Sequence, residues 1–276
     1  MDEVILMNNL FNSDLFCTEK PSNDNFMLHV HDNYEIFLFI EGDTRYIVEE
    51  NVYFLSPGDV IVIRKNQMHR AYHNSVAKYS RFVLNVSPEF FRVCNCEEYE
   101  KGFVEPSAAC NTKIDAETVK SSGLYDAFMR LGKYTANHID CDTPIVRSVI
   151  TEILYLVSNI KTYSDDDSAD TQLKRVIRYI NSNFEKPITL DSLEKKFFIS
   201  KYHLCHIFQA ATGLTVHQYI TNKRFSFASD LIKNGKSLSE AASLAGFSNY
   251  SSFYRSYKKL YGSSPRIHRR ENDLKQ

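Results

Sequence analysis

The chain has 276 residues, 43% of them hydrophobic, which is enough for about two domains with apolar cores. No apolar run is long enough to span a bilayer and the N-terminus has no signal-peptide pattern, so we expect a cytoplasmic protein without a membrane partner. The net charge of −1 divides unevenly, since residues 171–276 carry 18 Lys and Arg against 7 Asp and Glu, which predicts a polyanion as the partner of the C-terminal part alone.

The N-terminal part is predicted to be rich in short strands. Residues 1–26 show weak periodicity, so we predict an irregular segment with one short strand near residues 4–6. Beyond it, runs of β-branched and aromatic residues alternate with turn residues, which is typical of a small barrel or jelly roll. The predicted strands cover residues 26–31, 35–41, 44–49, 52–55, 60–64, 70–73 and 79–86.

Three histidines and one carboxylate lie among these strands. His29 and His31 would share one face of a strand, and Glu35 and His69 could converge with them inside a barrel. Three His and one carboxylate suit Zn, Fe or Mn, but spacing does not separate a metal site from ligand contacts or from histidines hydrogen-bonded within the barrel. The positions that resemble a cupin, a sensory barrel, are His29, His31, Glu35, Gly42, Pro57-Gly58-Asp59 and His69.

A barrel of this size can enclose one small molecule. The candidate wall residues are Tyr34, Phe37, Phe39, Arg45, Tyr46 and Tyr53. Strand alternation lets only half of these six face inward. The residues that we assign to the effector are His29, His31, Glu35, Phe37, Tyr46 and His69. We expect no cofactor, and a divalent metal held by His29, His31, Glu35 and His69 is the alternative.

Helices are predicted after the strands. Residues 115–138 have apolar side chains spaced for one helical face, and residues 143–163 repeat them at intervals of three and four. Thr143 suits the N-cap of the second of these helices and Pro144 suits its first position. The acidic stretch 163–171 is the best linker, so we predict an N-terminal domain over 1–164, a linker over 165–171 and a C-terminal domain over 172–276.

The C-terminal domain contains one pattern twice. Each copy fits a short helix, a tight turn and a second helix after a serine N-cap, which is the arrangement of a helix-turn-helix whose second helix enters the major groove of DNA. The first copy consists of Thr189-Leu190, Leu193, Ile199-Ser200, Tyr202, Leu204, Phe208 and Gly213. The second copy consists of Ser237-Leu238, Ala241, Phe247-Ser248, Tyr250, Phe253, Tyr257 and Gly262, with Ser248 as the predicted cap.

Two further helices are predicted in this domain, over residues 172–184 and 216–233. The second of them connects the two helix-turn-helix copies and would extend about 27 Å at 1.5 Å per residue. A rigid connector of that length could hold two recognition helices near the ~34 Å repeat of successive major grooves.

A signature near the C-terminus carries a family resemblance, and it consists of Gly246-Phe247-Ser248, Phe253, Arg255, Lys258-Lys259, Gly262, Ser264-Pro265 and Arg269. These residues resemble the DNA-binding domain of the AraC/XylS family of bacterial transcription regulators. The first copy departs from the family pattern, because Glu194 and Phe198 stand where small residues are usual and His206 and Gln209 replace an arginine and a lysine. His268 replaces an aromatic residue in the second copy. The departures in the first copy leave open whether the first unit reads bases.

The resemblance implies an α+β protein with an N-terminal cupin-like β-barrel and following helices, then an all-α domain with two helix-turn-helix units. It implies a sequence-specific transcription regulator, not an enzyme, that binds double-stranded DNA and a small-molecule effector, with carbohydrate as the expected class. Helices after the barrel form the dimer seam in this family, so we expect a homodimer, with RNA polymerase as a further partner. Effector binding would change the dimer geometry or the contacts between sensor and reader.

We assign residues to DNA by their chemistry, with hydroxyl, imidazole and guanidinium groups for base edges and lysines for phosphates. The residues assigned to base edges or nearby backbone are Tyr202, His203, His206, Tyr250, Ser251, Ser252 and Arg255. The phosphate contacts are Lys201, Lys258 and Lys259. Two rival functions remain, a metal-dependent cupin enzyme or sensor fused to a DNA-binding domain, and a protein-interaction adaptor that no longer reads DNA.

Overall fold

The computed structural model of the chain describes residues 2–23, 26, 29–49, 51–104, 112–136, 143–160, 171–233 and 235–261, without the side chains of residues 2–7, 230, 233 and 259–261. The chain folds into two compact units, one with the strands and the first helices and the other with the remaining helices. None of the described helices has the length and hydropathy that a lipid-spanning segment requires.

Antiparallel strands form the N-terminal unit. In chain order they are β1 (Asp2–Met7), β2 (Phe11–Thr18), β3 (Tyr34–Glu41), β4 (Thr44–Val48), β5 (Asn51–Phe54), β6 (Val60–Ile63), β7 (His69–His73), β8 (Tyr79–Val86) and β9 (Lys113–Ile114). They build one sheet of order β1-β2-β8-β3-β6-β9, sheet A, and a second of order β5-β4-β7, sheet B. This antiparallel arrangement, followed by helices, confirms the predicted α+β fold with a cupin-like N-terminal region.

The beginning of the chain differs from the prediction. β1 contains the short strand predicted near residues 4–6, but β2 pairs with β8 along its whole length, so the irregular structure predicted for that part was wrong. The strand pattern is hidden because Asn12 and Asp14 place polar side chains on one face of β2 while Phe11 is buried on the other. The predicted strand 26–31 was also wrong at its described residues, since Phe26 lies in a bend and His29 forms only an isolated bridge, while residues 27 and 28 lie outside the described residues.

Sheet A separates two apolar cores. Ile36 and Leu38 of β3 face a core shared with the helices, and Phe37 and Phe39 face a core shared with sheet B. This alternation divides the predicted cavity wall, because Phe37, Phe39 and Tyr46 lie between the sheets with Tyr53 packed against them.

Two of the predicted wall residues lie elsewhere. Tyr34 faces the helices, where its ring centroid lies 5.5 Å from that of Phe91 and 5.2 Å from that of Phe103. The guanidinium of Arg45 lies 4.2 Å from the centroid of the Tyr72 ring, on the face of sheet B that points away from Tyr46. The prediction of a wall position was therefore wrong for Tyr34 and Arg45.

In the described part of this unit five helices cover sheet A: α1 (Pro88–Val93), α2 (Glu97–Val104), α3 (Ala116–Ser121), α4 (Leu124–Ala136) and α5 (Pro144–Asn159). The helix predicted over 115–138 is broken at Gly123, whose φ of +81° ends α3. Thr143 occupies the N-cap position of α5, but its side chain makes no capping hydrogen bond. The apolar stripe of α5 is buried in the core shared with sheet A, so it is not available as a dimer seam.

His73 of the N-terminal unit is buried and has a low pKa. His73 is 4% exposed, and its Nδ1 lies 3.0 Å from the hydroxyl oxygen of Thr44. Asn23 holds the backbone of His73 through two hydrogen bonds of 2.8 and 3.0 Å. Burial, followed by the charge of Arg70, lowers the pKa of His73 to about 4.

The C-terminal unit is helical, with α6 (Gln172–Asn181), α7 (Leu190–Phe197), α8 (Lys201–Thr212), α9 (Val216–Lys233), α10 (Leu238–Leu244) and α11 (Tyr250–Tyr261). Both predicted helix-turn-helix units are present, as α7–α8 and α10–α11, and α9 connects them. The second unit packs on α9 through small side chains, because Ala241, Ala242 and Ala245 are buried against Phe225 and Ala228.

Arg224 of α9 connects the segment after α6 to the second helix-turn-helix unit. Its guanidinium donates to the carbonyl oxygens of Phe184, at 2.7 Å, and Lys186, at 2.9 Å. The same group lies 5.9 Å from the centroid of the Phe247 ring. A planar group with several donors suits this double contact, which a lysine could not reproduce.

Candidate nucleic-acid interface and barrel site

The first recognition helix, α8, begins after a well-formed turn. The hydroxyl of Ser200 accepts a hydrogen bond from the backbone N–H of His203, which confirms the predicted cap. Leu204 and Phe208 are buried in the unit. The predicted DNA residues Tyr202, His203 and His206 are all exposed on the opposite side of the helix.

The residue that forms the turn before α8 is Phe198, in the left-handed region with φ 53° and ψ 44°. Chirality makes this conformation cost about 1–2 kcal/mol for a residue with a Cβ. The corresponding position of the second unit holds Gly246, with φ +86°. Phe198 is 92% exposed, so packing within the chain does not offset this cost.

Two carboxylates cover the start of α8. The ammonium of Lys201 forms an ion pair with Asp191 and lies 3.8 Å from a carboxylate oxygen of Glu194. The backbone N–H of Lys201 donates to Glu194 at 3.2 Å. The hydrogen bond and the charge of Asp191 raise the pKa of Lys201. The cation that the sequence assigns to a phosphate is therefore paired within the free protein.

The second recognition helix, α11, has a different cap from the predicted one. Asn249, not Ser248, accepts from the backbone N–H of Ser252, at 2.8 Å. Phe253 and Tyr257 are buried, and Ser251 and Arg255 are exposed. Ser252 and Tyr250 are half-buried, Lys258 is exposed, and the side chain of Lys259 lies outside the described residues.

An open surface depression of about 640 Å³ lies at the start of α11 and is lined by Tyr250, Ser251, Tyr254 and Arg255. The guanidinium of Arg255 donates to the carbonyl oxygen of Ser251 at 3.3 Å, so it folds back on its own helix in the free protein. Tyr254 is a lining residue that the sequence prediction missed, although its position four residues after Tyr250 places both rings on one side of the helix.

The two recognition helices therefore offer unequal chemistry. Aligned by their caps, His206 of α8 corresponds to Arg255 of α11, and the exposed Tyr202 corresponds to Ser251. α11 presents exposed cationic groups, whereas α8 presents an aromatic ring and two imidazoles beside a lysine paired with acids.

A second polar site lies inside the barrel around Glu35 of β3. One carboxylate oxygen accepts from the Tyr46 hydroxyl at 2.9 Å, and the other lies 3.0 Å from His31 Nε2 and 3.4 Å from His69 Nε2. Burial would raise the pKa of Glu35, but the charge of His69 and the hydrogen bonds of both histidines hold it well below its usual range. The structure thus brings five of the six predicted effector residues together, His29, His31, Glu35, Tyr46 and His69, while Phe37 packs in the core nearby.

Both histidines are oriented by backbone carbonyls. His31 Nδ1 lies 3.0 Å from the oxygen of Asn33, and His69 Nδ1 lies 2.8 Å from the oxygen of Gln67. A carbonyl only accepts, so each Nδ1 carries the proton. In the neutral rings the Nε2 lone pairs then point to the carboxylate of Glu35, an arrangement that a shared proton or a cation stabilises.

The set of donors fits a transition metal. One ligand atom from each of His29, His31, Glu35 and His69 lies within 4.8 Å of the others. Imidazole nitrogens with one carboxylate are ligands that Zn, Fe and Mn accept, and carbonyls that hold the second ring nitrogen are the usual outer partners of such histidines.

Unpaired acceptors lie on the same face of sheet A. Among the described residues, Asn12 Oδ1, Asn85 Oδ1 and Asp14 Oδ1 are buried without a hydrogen-bond partner. Asn12 and Asn85 are directly opposite in the β2–β8 register, and Glu35 is opposite Asn85 on the other side. The sequence prediction missed Asn12 and Asp14 because it did not include β2.

Two family models match the chain: an AraC-like ligand binding domain over residues 12–131 and a helix-turn-helix domain over residues 193–271. The chain is 27% identical to the probable transcriptional regulator LumQ of Photobacterium leiognathi, over 86% of this chain and 89% of that protein. It is 23% identical to the transcriptional activator RhaS of Escherichia fergusonii, over 89% and 88%. It is also 23% identical to the transcriptional regulator YdiP of Escherichia coli, over 88% and 80%.

Proposed function

The chain belongs to the AraC family of transcription regulators, and on that premise we propose that a small molecule bound in its barrel changes the affinity of α8 and α11 for one DNA site. The observation that supports this most directly is that the chain carries two capped helix-turn-helix motifs, each with an exposed polar face. Both motifs lie in the C-terminal unit, which follows a ligand-binding barrel in the chain. By reciprocity, DNA should change the affinity for the small molecule by the same factor. A regulator of this kind needs no catalytic residue, and we assign none.

Arg255 is the residue we assign to a base edge of the DNA site, with Lys258 on a phosphate. Replacing Arg255 with Ala should weaken the cognate duplex by about 1–3 kcal/mol and relax the preference at one base pair. Lys258→Ala is the matched control, because loss of a phosphate contact should weaken all duplexes alike and reduce the salt slope by about 1. If Arg255→Ala lost the same binding free energy on every duplex, Arg255 would contact a phosphate and not a base.

We propose that the effector brings many hydrogen-bond donors, as the hydroxyls of a carbohydrate do. The acceptors of Asn12, Asp14 and Asn85 support this class, because buried oxygens gain most from a ligand that donates to them. Calorimetric titration with mono- and disaccharides tests it, with fatty acids as a class that brings no such donors. Asn85→Ser should weaken the sugar that binds by about tenfold, the loss of about one buried hydrogen bond. Unchanged sugar binding in that variant would contradict the assignment.

The remaining partners also belong to this proposal. We propose a homodimer in the cytoplasm that contacts RNA polymerase at its promoters, because an activator or repressor acts on transcription there. The two domains would meet at a linker over 165–171. Sedimentation of the intact protein at several concentrations tests the dimer, and a single monomer species throughout would contradict it.

A metal in the barrel is the second candidate, and the convergence of His29, His31, Glu35 and His69 favours it. These residues would hold the ion, which could supply a Lewis acid to the effector. Elemental analysis of protein purified without chelator should then show one Zn, Fe or Mn per chain. Glu35→Gln and His69→Gln should lose the metal, while Tyr46→Phe, which removes only a hydrogen bond to Glu35, should retain most of it. Protein free of metal under these conditions would contradict this candidate and the metal-dependent enzyme together.

A further inference from the structure

Neither the packing of the fold nor the DNA contacts proposed above account for the conformation and exposure of Phe198. It occupies the left-handed turn position that Gly246 occupies in the second unit, and its side chain is 92% exposed. Such exposure leaves little packing to offset the conformational cost, and glycine would adopt the same turn without it. A strained and exposed aromatic residue of this kind indicates a contact outside the chain.

A second exposed aromatic lies beside it in sequence. Tyr202, in the first turn of α8, is 86% exposed. Phe198 and Tyr202 are the two most exposed large hydrophobic side chains among the described residues. They flank Ser200, the cap of the recognition helix, so both lie at the end of α8 that a helix-turn-helix directs into the major groove.

At this end of α8 the aromatic rings of Phe198 and Tyr202 are exposed beside the imidazole of His203. Lys201, between the two aromatic positions, is paired with Asp191 and Glu194. The apolar feature of the major groove is the 5-methyl group of thymine. An aromatic surface at the groove therefore suits thymine better than it suits the charged phosphates or the polar edge of guanine.

We propose that Phe198 and Tyr202 read thymine methyl groups, so that the first unit recognises DNA by apolar contact while the second uses Arg255. This inference rests on the proposed function, because it needs the first unit to lie in the major groove. Phe198 is thus a specificity-determining residue, and the departure from glycine at this position is what gives the first unit its own preference.

Single replacement of thymine by deoxyuridine tests the contact, since it removes one methyl group and leaves base pairing intact. The intact protein is titrated with its selected duplex and with duplexes that carry deoxyuridine at each thymine in turn. The wild type should lose about fourfold in affinity at one or two positions, the value of one buried methyl group. The variants Phe198→Gly and Tyr202→Ser should bind the thymine duplex more weakly than the wild type. Their affinity should no longer change when deoxyuridine replaces thymine at those positions.

Controls separate this inference from folding and from the proposed function. Phe198→Gly should unfold at the same or a higher temperature than the wild type, so weaker DNA binding would not come from lost structure. Arg255→Ala should keep the response to deoxyuridine at the positions read by the first unit. A wild type that binds its duplex specifically but ignores every deoxyuridine, or a Phe198→Gly variant with the wild-type response, overturns the inference alone. A wild type that prefers no duplex overturns the proposed function with it.

Discussion

Gly246, in the turn of the second helix-turn-helix unit, should be nearly irreplaceable. Its φ is +86°, and a Cβ added there would lie 2.7 Å from the carbonyl carbon and 2.8 Å from the Cα of Glu185, and closest of all to its carbonyl oxygen. The left-handed conformation costs an alanine about 1–2 kcal/mol. The contact with backbone, which no side-chain rotation can relieve, should cost about 1–3 kcal/mol more. We expect Gly246→Ala to destabilise the C-terminal unit by about 3 kcal/mol, the sum of these two costs.

Gly235 is the matched control, because it has nearly the same φ, +85°, but nothing lies within 4 Å of its added Cβ. Gly235→Ala should therefore show only the conformational cost, and the difference between the two variants measures the contact with Glu185. Hydrogen exchange of α9 to α11 in the intact protein reports the unfolding free energy of this unit separately. Equal destabilisation by the two variants would refute the close packing of the turn on Glu185.

Single contacts elsewhere in the chain lead to three further predictions. Arg224→Lys should destabilise the C-terminal unit by about 1–2 kcal/mol in hydrogen exchange, because a lysine cannot donate to both carbonyls, and full stability would contradict that role. The pKa of His73, about 4 in the folded protein, lies below the unfolded value, so its contribution to stability is complete above about pH 6.5 and is lost as the pH falls to 4. The loss should reach at most about 3 kcal/mol in denaturant titrations, and His73→Asn should flatten this slope. Asp191→Asn should leave Lys201 with only its longer pairing to Glu194 and raise DNA affinity about two- to fivefold at low salt, with no gain at high salt; an equal gain at both salt concentrations would contradict the pairing.

Local sequence patterns predicted most elements of the fold. The strands from β3 to β8 follow runs of β-branched and aromatic residues, and the two helix-turn-helix units follow their repeated spacing. β2 was not predicted because Asn12 and Asp14 interrupt its apolar alternation, and those polar residues belong to the barrel interior. The break at Gly123 escaped because a single glycine within a helical pattern is often tolerated.

The candidate site was predictable in its residue types but not in its geometry. Spacing placed His31, Glu35 and His69 in one region, and the structure adds which nitrogen faces the carboxylate, a detail set by the carbonyls of Asn33 and Gln67. The pairing of Lys201 with Asp191 depends on how α7 and α8 pack, which no local pattern contains. The same holds for Phe198, whose conformation and exposure become visible only with the turn in place.

Selection of bound duplexes from a random pool by the intact protein tests the central claim most directly. Two recognition helices joined by α9 should select a site with two conserved segments about one helical turn apart, and affinity for that site should fall steeply with salt. Recovery of sequences with no shared segment, or with affinity independent of salt, would contradict the account.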